Sequence, residues 1–569
     1  MNTLWFAFIC AAGLNVLEVQ AGAVEMTTLG ASGRENGIGC LAKAANSSVR
    51  IVHAKLVGLQ EGSIGAFVAG SEAVLEGCVV EATNTEKSPF LLDGSSLIAN
   101  GIELGMPRDR AVACFCECRG MQETVMLRNT MFGEFVCVGS GSFLPVQGKS
   151  VSAEGCEFRN VTKQTGFVGL LHAPGCLETH LSGSSFLDCQ NVFYGGVMGG
   201  MNVHGFASSN CSFCRCAHNL QFRLGANGLL GQAVGVSHEG KTFSSTQIVG
   251  NGVSTFTDCT FSSCKGIGGG GLVIGSATAE VISCTFETCL AVVGGGALLS
   301  SEHGSVVVLK SSNFIGCTAT GGELLGIGPG MTQGGAILIS DGKCKMTDVS
   351  GEGCIAGAGG FMAAELSFET IWEGLTIKKC RTTTGSGTDC GGAFFFSEIE
   401  SLTIKEAVIE RCEAGFSGGA MTFLFVDNAS LLHILDSKFK ENKAKGNGEK
   451  FFKTLNYPSK ERFEITKEMY ASDIFIATNK TKGEFTKDNF EGTTSSSRKP
   501  RTYSRSQGNF DDMMKSALST GGIVGLVIGL VAAAIIIVVV VIVVVYVVKK
   551  RKRMNADRSN ELLLIGATR

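Results

Sequence analysis

The chain has 569 residues, of which 78 are glycine, 23 are cysteine and only 7 are proline, and its formal net charge is −3. Abundant glycine with scarce proline excludes a disordered Pro/Gly-rich linker, and glycine without a strict third-residue period excludes collagen. The mildly acidic balance is not that of a nucleic-acid-binding surface, so we expect no nucleic-acid partner.

Residues 1–23 have the pattern of a signal peptide. Leu4 to Leu14 form an apolar run, and Ala21-Gly22-Ala23 is a small-x-small cleavage sequence. Residues 24–520 are therefore expected outside the cytoplasm. All the cysteines beyond the signal peptide lie between Cys40 and Cys412, which suits an oxidising compartment.

Residues 24–445 are predicted to form one repeat array, which is clearest over 150–445. Its first motif is Cys/Ser-x-Phe-x-x-Cys, as in Cys284-Thr-Phe-Glu-Thr-Cys289. The last position recurs at variable intervals, which indicates a fixed unit with inserted loops. The residues that we take as anchors of this motif are Phe261, Phe286, Phe314, Cys264, Cys289, Cys317, Cys354, Cys380 and Cys412.

A second motif follows the first and consists of Gly-Gly-Ala and apolar residues. Paired glycines mark sharp turns or close backbone approach. The runs between the motifs, such as Ser305-Val-Val-Val-Leu309, are rich in β-branched residues and predict strands. Short strands with turns at fixed offsets predict an all-β parallel β-helix, in which each turn covers its neighbour's apolar face. The anchors of this second motif are Gly295, Gly335, Gly392 and Gly419.

The β-helix prediction places the anchors in rows. Because strand side chains alternate between the two faces, Phe286 should point inward and stack on Phe261 and Phe314 of adjacent turns, about 4.8 Å away. The anchor cysteines should form a ladder along one corner, either as disulfides or as packed, reduced thiols. Asn442 takes the cysteine's place in the last repeat and suits a buried turn position, where its side chain can bond the backbone.

Two further patterns concern modification and metals. Five Asn-x-Ser/Thr sequons lie in the expected exterior segment and are candidate glycosylation sites. Cys211, Cys214, Cys216 and His218 could ligate zinc, although they overlap a repeat and disulfides are the alternative outside the cell. We therefore predict no metal and no cofactor. The sequons begin at Asn46, Asn160, Asn210, Asn428 and Asn479.

The C-terminal part differs from the repeats. Residues 446–520 are polar and lack cysteine, which predicts a cap and a juxtamembrane stalk. Residues 521–548 carry no charge and exceed the roughly 20 residues that a transmembrane helix needs. Residues 549–569 begin with five consecutive basic side chains, which places this tail in the cytoplasm. The predicted protein is single-pass and type I, with a lipid membrane as a partner, at the cell surface or in another secretory-pathway membrane.

Together the two motifs resemble the repeats of the chlamydial polymorphic outer membrane proteins, which carry Gly-Gly-Ala-Ile/Leu/Val and Phe-x-x-Asn. They are also similar to repeats of β-helix surface proteins of protists. The resemblance implies a right-handed, pectin-lyase-like parallel β-helix displayed at a surface. The chain departs from the bacterial pattern in two ways: cysteine mostly replaces asparagine, and one C-terminal helix replaces the autotransporter barrel.

Two functions are compatible with such an array. The first is recognition or adhesion without catalysis, since inserted loops and exposed ladders can bind a protein or glycan ligand. The alternative is a polysaccharide lyase or glycoside hydrolase of pectin-lyase-like fold. The carboxylate motifs of polygalacturonases are absent from the repeat sequence, and the acids present, such as Asp258 and Glu287, alternate with apolar residues as on a solvated strand face. We therefore assign no catalytic residue.

Overall fold

The computed structural model describes strands and turns between residues 3 and 504, with gaps of which the longest within that range are 219–233, 238–252 and 446–472. Residues 505–569 lie outside the described residues, and with them the predicted span 521–548 and tail 549–569. No helix in the described part of the chain is long and apolar enough to cross a bilayer. The described residues include two 3-10 helices, Ala429–Leu431 and Lys487–Phe490.

The described strands form a parallel β-solenoid, which confirms the predicted all-β, parallel β-helix. One 16-stranded sheet, which we call the anchor sheet, contains the Phe-x-x-Cys repeats in chain order. Its strands are Gly30–Ser32, Lys55–Val57, Val79–Glu81, Glu103–Gly105, Met131–Gly133, Glu157–Arg159, Ser185–Leu187, Ser212–Cys214, Thr260–Ser262, Thr285–Glu287, Asn313–Ile315, Ser350–Glu352, Thr376–Lys378, Val408–Glu410, Lys438–Lys440 and Thr494–Ser495.

Two smaller parallel sheets accompany the anchor sheet. The first has 12 strands and follows the corner at which the anchor cysteines lie. Its strands are Ala111–Val112, Val136–Cys137, Thr162–Lys163, Gln190–Asn191, Ala217–His218, Lys265–Gly268, Leu290–Gly294, Thr318–Ala319, Ile355–Ala356, Arg381–Thr382, Glu413–Ala414 and Lys443–Ala444. The second has five strands near the N-terminus. They are Leu17–Gln20, Ala42–Ala45, Gly65–Val68, Phe90–Asp93 and Cys116–Cys118.

The remaining strands form a 27-stranded sheet, here called the long sheet. It contains two series of stacked strands. The two series are joined by strand Ile337–Thr347, which pairs with Leu298–Ser301 of one series and with Ser305–Lys310 of the other. Its strands are Thr3–Trp5, Ala23–Thr27, Ser48–Val52, Glu72–Glu76, Ser96–Asn100, Thr124–Arg128, Leu144–Pro145, Ser150–Glu154, Leu171–His172, Glu178–Ser182, Met198–Met201, Gly205–Ser209, Val234–Ser237, Val253–Thr257, Leu272–Gly275, Thr278–Ile282, Leu298–Ser301, Ser305–Lys310, Ile337–Thr347, Met362–Leu366, Thr370–Glu373, Phe394–Ile399, Leu402–Lys405, Met421–Phe423, Leu432–Leu435, Ile474–Thr478 and Arg501–Ser504.

Both ends of the described chain take part in strand pairing. Within the predicted signal peptide, Thr3–Trp5 pairs with Ala23–Thr27; cleavage of this segment stays a prediction. Beyond residue 445, Ile474–Thr478 pairs with Met421–Phe423 and with Arg501–Ser504. Part of the segment predicted as a polar cap and stalk is therefore hydrogen-bonded to the solenoid, because backbone pairing does not depend on apolar side chains.

Each corner beside the anchor sheet is made by one residue of left-handed backbone followed by an inward side chain. Ser283 and Thr288 have φ of 52° and 50° and precede Cys284 and Cys289. The amide of Ser283 donates to the carbonyl of Lys310 in the next turn at 2.9 Å. Left-handed backbone costs a non-glycine residue roughly 1–2 kcal/mol, so these corners persist because inter-turn hydrogen bonds and core packing hold them.

Candidate functional site

The anchor cysteines occupy the corner that follows the anchor sheet, with their side chains in the core. All six predicted positions, from Cys264 to Cys412, are at most 1% exposed. Four of the six thiols contact the carbonyl of the Phe residue one turn earlier. Cys289 Sγ lies 3.3 Å from Phe261 O, and Cys317 Sγ lies 3.5 Å from Phe286 O. A buried thiol thereby uses its one donor on a strand carbonyl.

These corner cysteines form an unbroken row, which we call the thiol ladder. Backbone hydrogen bonds hold the turns in register, because Leu290 N donates to Cys264 O at 2.8 Å and Thr318 N donates to Cys289 O at 2.9 Å. The sixteen cysteines whose side chains the structure describes are free thiols, so the ladder is packed and reduced in this structure. Its members are Cys189, Cys216, Cys264, Cys289, Cys317, Cys354, Cys380 and Cys412.

Burial raises the pKa of three thiols in and beside this ladder. Desolvation raises the pKa of Cys354 and of Cys380 well above the usual thiol range. Cys390, outside the ladder, has its pKa raised to about 12 by the same burial. These thiols are therefore neutral at physiological pH, and neutral thiols are poor nucleophiles.

Asn442 ends the ladder on its C-terminal side, and its side chain bonds the neighbouring backbone as predicted. It is 4% exposed. The amide nitrogen of Cys412 donates to Asn442 Oδ1 at 2.9 Å, and Asn442 Nδ2 donates to Ile409 O and to Asp473 Oδ1, each at 2.9 Å. An amide side chain suits the last turn because, unlike a thiol, it can accept and donate strong hydrogen bonds at once.

The predicted Phe stack is present. The ring centroid of Phe286 lies 4.6 Å from that of Phe261 and 4.8 Å from that of Phe314, with interplanar angles of 3° and 2°. The stack continues upstream through Phe213, Phe186 and Phe158 to Phe132, further than the anchors assigned from sequence. A single row of parallel rings thus supports the inner face of the anchor sheet.

One turn departs from the stack by exchanging a large and a small residue. Gly351 occupies the Phe position, and Phe361 occupies the Ala position of the following glycine motif. The Phe361 ring packs edge-on against Phe314 at 5.7 Å, and a Cβ on Gly351 would lie 2.4 Å from that ring. The two departures were visible in the sequence separately, but their mutual compensation becomes apparent only when the turns are stacked.

The two glycines of the glycine motif have different structural roles. The first has left-handed backbone, as at Gly295 with φ of 61°. The second lies under the next turn: a Cβ on Gly335 would stand 2.1 Å from Gly360 O, and one on Gly392 would stand 2.0 Å from Gly419 O. Gly419 is buried at the equivalent second position. Adjacent turns can therefore approach here only without a side chain.

The outer face of the anchor sheet is a regular exposed surface. Residues on either side of each Phe point outward, and Thr285 lies in register with Thr260 and Asn313. One outward row holds small polar side chains that are exposed or half-buried at consecutive strands. This polar row consists of Ser185, Ser212, Thr260, Thr285, Asn313, Ser350 and Thr376.

Ion pairs between neighbouring turns border the polar row at the next corner. Arg215 donates to both carboxylate oxygens of Asp188, at 2.6 and 2.7 Å, and Lys379 pairs with Glu352 at 2.7 Å. The hydrogen bond from Arg215 lowers the pKa of Asp188. These pairs are solvent-exposed, so they contribute to the pattern of surface charge more than to stability.

The structure also locates the remaining candidate residues. Asn160 and Asn210 lie at exposed corners with φ of 52° and 51°, whereas Asn46, Asn428 and Asn479 lie outside the described residues. The zinc alternative is not supported, because Cys211 and Cys216 are buried at two different corners and Cys214 is partly exposed on the outer face. No group of three or more metal-binding side chains is found among the residues with described side chains, which do not include that of His218.

The fold and this surface define a parallel β-solenoid with a polar outer face. No protein-family model matches the chain, and a comparison with curated proteins finds no match either.

Proposed function

We propose that the protein is a single-pass, type I membrane protein whose right-handed parallel β-helix is displayed at the cell surface or in another secretory-pathway membrane. The β-helix serves recognition or adhesion of a protein or glycan ligand and carries out no catalysis. Its resemblance to surface-displayed repeat proteins rests on the Phe-x-x-Cys and Gly-Gly-Ala motifs, and the membrane topology rests on the uncharged segment 521–548 followed by basic residues.

The observation that carries the recognition proposal is the outer face of the anchor sheet. Its polar row repeats at the turn spacing of about 4.8 Å, and the stacked Phe rings hold the strands beneath it in place. A rigid, exposed array of hydroxyl and amide groups can bind an extended ligand without first being ordered, which lowers the entropic cost of binding. Loops inserted between the turns add variable contacts to this constant surface.

Binding of the full-length protein, displayed on transfected cells, to panels of cells, bacteria and glycans tests this proposal. The variant Thr260→Lys/Thr285→Lys/Asn313→Lys places three bulky charges in the polar row and should weaken binding at least tenfold. The matched control Thr255→Lys/Glu280→Lys/Val308→Lys changes outward residues of the long sheet and should bind like the unmodified protein.

Three outcomes contradict the proposal. Failure to bind any member of the panels points to a passive coat. Equal loss of binding in both variants removes the anchor sheet as the recognition surface. Release of unsaturated or reducing sugars from pectins and related polymers supports the alternative of a lyase or hydrolase.

A further inference from the structure

The thiol ladder contains eight cysteines, each beside the next, and it has defined ends. Neighbouring side chains are in contact along its length, as Cys289 is with Cys264 and with Cys317. On the C-terminal side Asn442 takes the next position. On the N-terminal side Thr162 pairs with Gln190. The residue before Gln190 in the sequence is Cys189, whereas the residue before Thr162 is a valine. The ladder is therefore a closed set of eight thiols in single file.

Neighbouring members of this set meet the first geometric requirement for a disulfide. Paired parallel strands lie about 4.8 Å apart, and disulfides join Cα atoms about 4.4–6.8 Å apart. Members two turns apart are separated by roughly twice the turn spacing and cannot be joined. A second corner row, which includes Cys211, Cys259 and Cys284, lies across the Phe strand from the ladder, so a bond between the two rows is excluded as well.

We propose that the thiol ladder is a set of latent turn-to-turn disulfides with one preferred pairing. In a single file of eight, where only neighbours can bond, one pattern alone uses every thiol. That pattern joins Cys189 to Cys216, Cys264 to Cys289, Cys317 to Cys354 and Cys380 to Cys412. Each bond then staples two consecutive turns of the solenoid, and no bond crosses between staples.

The chemistry is thiol–disulfide exchange with a small disulfide such as oxidised glutathione. One cysteine thiolate attacks a glutathione sulfur and releases one glutathione thiolate, which gives a mixed disulfide. The neighbouring thiolate then attacks the cysteine sulfur of that mixed disulfide and releases the second glutathione thiolate. Two cysteines lose two electrons in total, one glutathione disulfide gains them, and the two protons end on the released thiols.

Burial determines when this exchange happens. In the folded chain the ladder thiols are at most 1% exposed, so exchange is slow once the turns have closed. The staples therefore form while the turns assemble, and burial afterwards protects them. The inference rests on thiol chemistry and turn spacing and does not depend on the proposed recognition function; the proposed secretory location supplies an oxidising environment.

The decisive experiment maps disulfides in the full-length chain. The reduced, denatured protein is refolded either with a mixture of reduced and oxidised glutathione or with reduced glutathione alone. Free thiols are alkylated under denaturing conditions, and digested peptides are identified by mass spectrometry. We expect the four proposed links in the first sample only. Cys344 is buried, and its partner in the paired strand is Val307 rather than a cysteine, so it should be alkylated in both samples.

The inference is overturned if the eight ladder cysteines remain alkylatable after oxidative refolding, if links join non-neighbours or the two corner rows, or if Cys344 is linked. The variant Cys289→Ser adds a second readout, since a hydroxyl can replace the thiol hydrogen bond. It should retain the links 317–354 and 380–412, and leave one free thiol among Cys189, Cys216 and Cys264. Cys344→Ser should retain all four links. If Cys289→Ser does not fold, the map of the unmodified chain decides.

Discussion

At the scale of single residues, the conformation that the backbone requires explains which residue occupies certain positions. The alternation of polar and apolar residues does not explain these positions. Corners require left-handed backbone, and the chain places Ser283, Thr288 and Lys379 there as readily as glycine. The glycine motif, in contrast, needs one residue without any side chain. The two kinds of position are distinguished by what surrounds them: corners face solvent, whereas the second glycine of the motif lies beneath another turn's backbone.

Replacing Gly335 with alanine should destabilise the protein by about 3 kcal/mol or more, because the added Cβ would lie 2.1 Å from the carbonyl oxygen of Gly360 and that backbone must move. Urea denaturation followed by circular dichroism measures the change. Gly353→Ala is the matched control: Gly353 has φ of 68° but no atom within 4 Å of an added Cβ, so the expected loss is only about 1–2 kcal/mol. Equal losses would contradict the close-approach explanation.

The buried thiols predict alkaline destabilisation of the reduced protein. Burial raises the pKa of Cys390 from 9.0 to about 12. The unfolded chain therefore loses this proton at lower pH than the folded chain does. As a result, the free energy of unfolding decreases as pH rises, and the folded protein becomes less stable. The thiol's contribution is complete below pH 9 and is lost between about pH 9 and 12, at up to about 1.4 kcal/mol per pH unit.

Urea midpoints measured from pH 7.5 to 10.5 in reducing buffer test this expectation. The variant Cys390→Ala lacks the thiol, so its midpoint should fall less steeply with pH than that of the unmodified protein. Subtracting the two curves removes contributions from tyrosine and lysine. Parallel curves would show that Cys390 titrates alike in the folded and unfolded chains.

At the scale of strands and turns, the Phe stack shows how one turn compensates for a missing ring. Gly351 lacks the side chain that its neighbours stack, and Phe361 fills the space from the glycine motif. Phe361 then contacts Phe394 at 5.5 Å. The side-chain volume in the core of this turn is therefore conserved, although the aromatic ring comes from a different position in the sequence. Dense packing of the core requires such compensation.

A double-mutant cycle tests this exchange. Phe361→Ala alone should cost about 3–5 kcal/mol, because it leaves a cavity. Gly351→Phe alone should cost about 1–3 kcal/mol or more, because the site is already filled. The double variant restores the usual Phe and Ala positions and should be more stable than the sum of the single losses predicts, by at least about 1 kcal/mol. Additive losses would show that the two sites do not share one space.

At the scale of the whole molecule, the described turns form a chain of neighbours. Each strand of the anchor sheet pairs with the strands immediately before and after it, and each thiol of the ladder contacts the adjacent thiols. Stability in such an array is approximately the sum of the turns and their interfaces. A defect in one turn should therefore remain local.

Hydrogen exchange in Phe361→Ala tests this locality. Amide exchange should accelerate several-fold in Asn313–Ile315 and Thr376–Lys378, the anchor-sheet strands on either side of the altered turn, because the lost ring contacts lie there. Exchange in Glu157–Arg159 should not change, since several turns intervene. Uniform acceleration along the chain, measured by mass spectrometry of peptides, would indicate that the described turns unfold as one cooperative unit.

The sequence by itself determined the repeat, the inward position of the Phe residues and the ladder position of the anchor cysteines, because the alternation of strand side chains is a local property. Beyond the predicted stack of Phe261, Phe286 and Phe314, only the tertiary structure decided which residues are neighbours. Cys264 reaches the carbonyl of Phe213 across 51 positions of the chain, and the intervening loop hides that register from sequence patterns. The same reason explains Gly351 with Phe361 and the glycines beneath neighbouring backbones: contacts between turns depend on stacking, which loops of unequal length obscure.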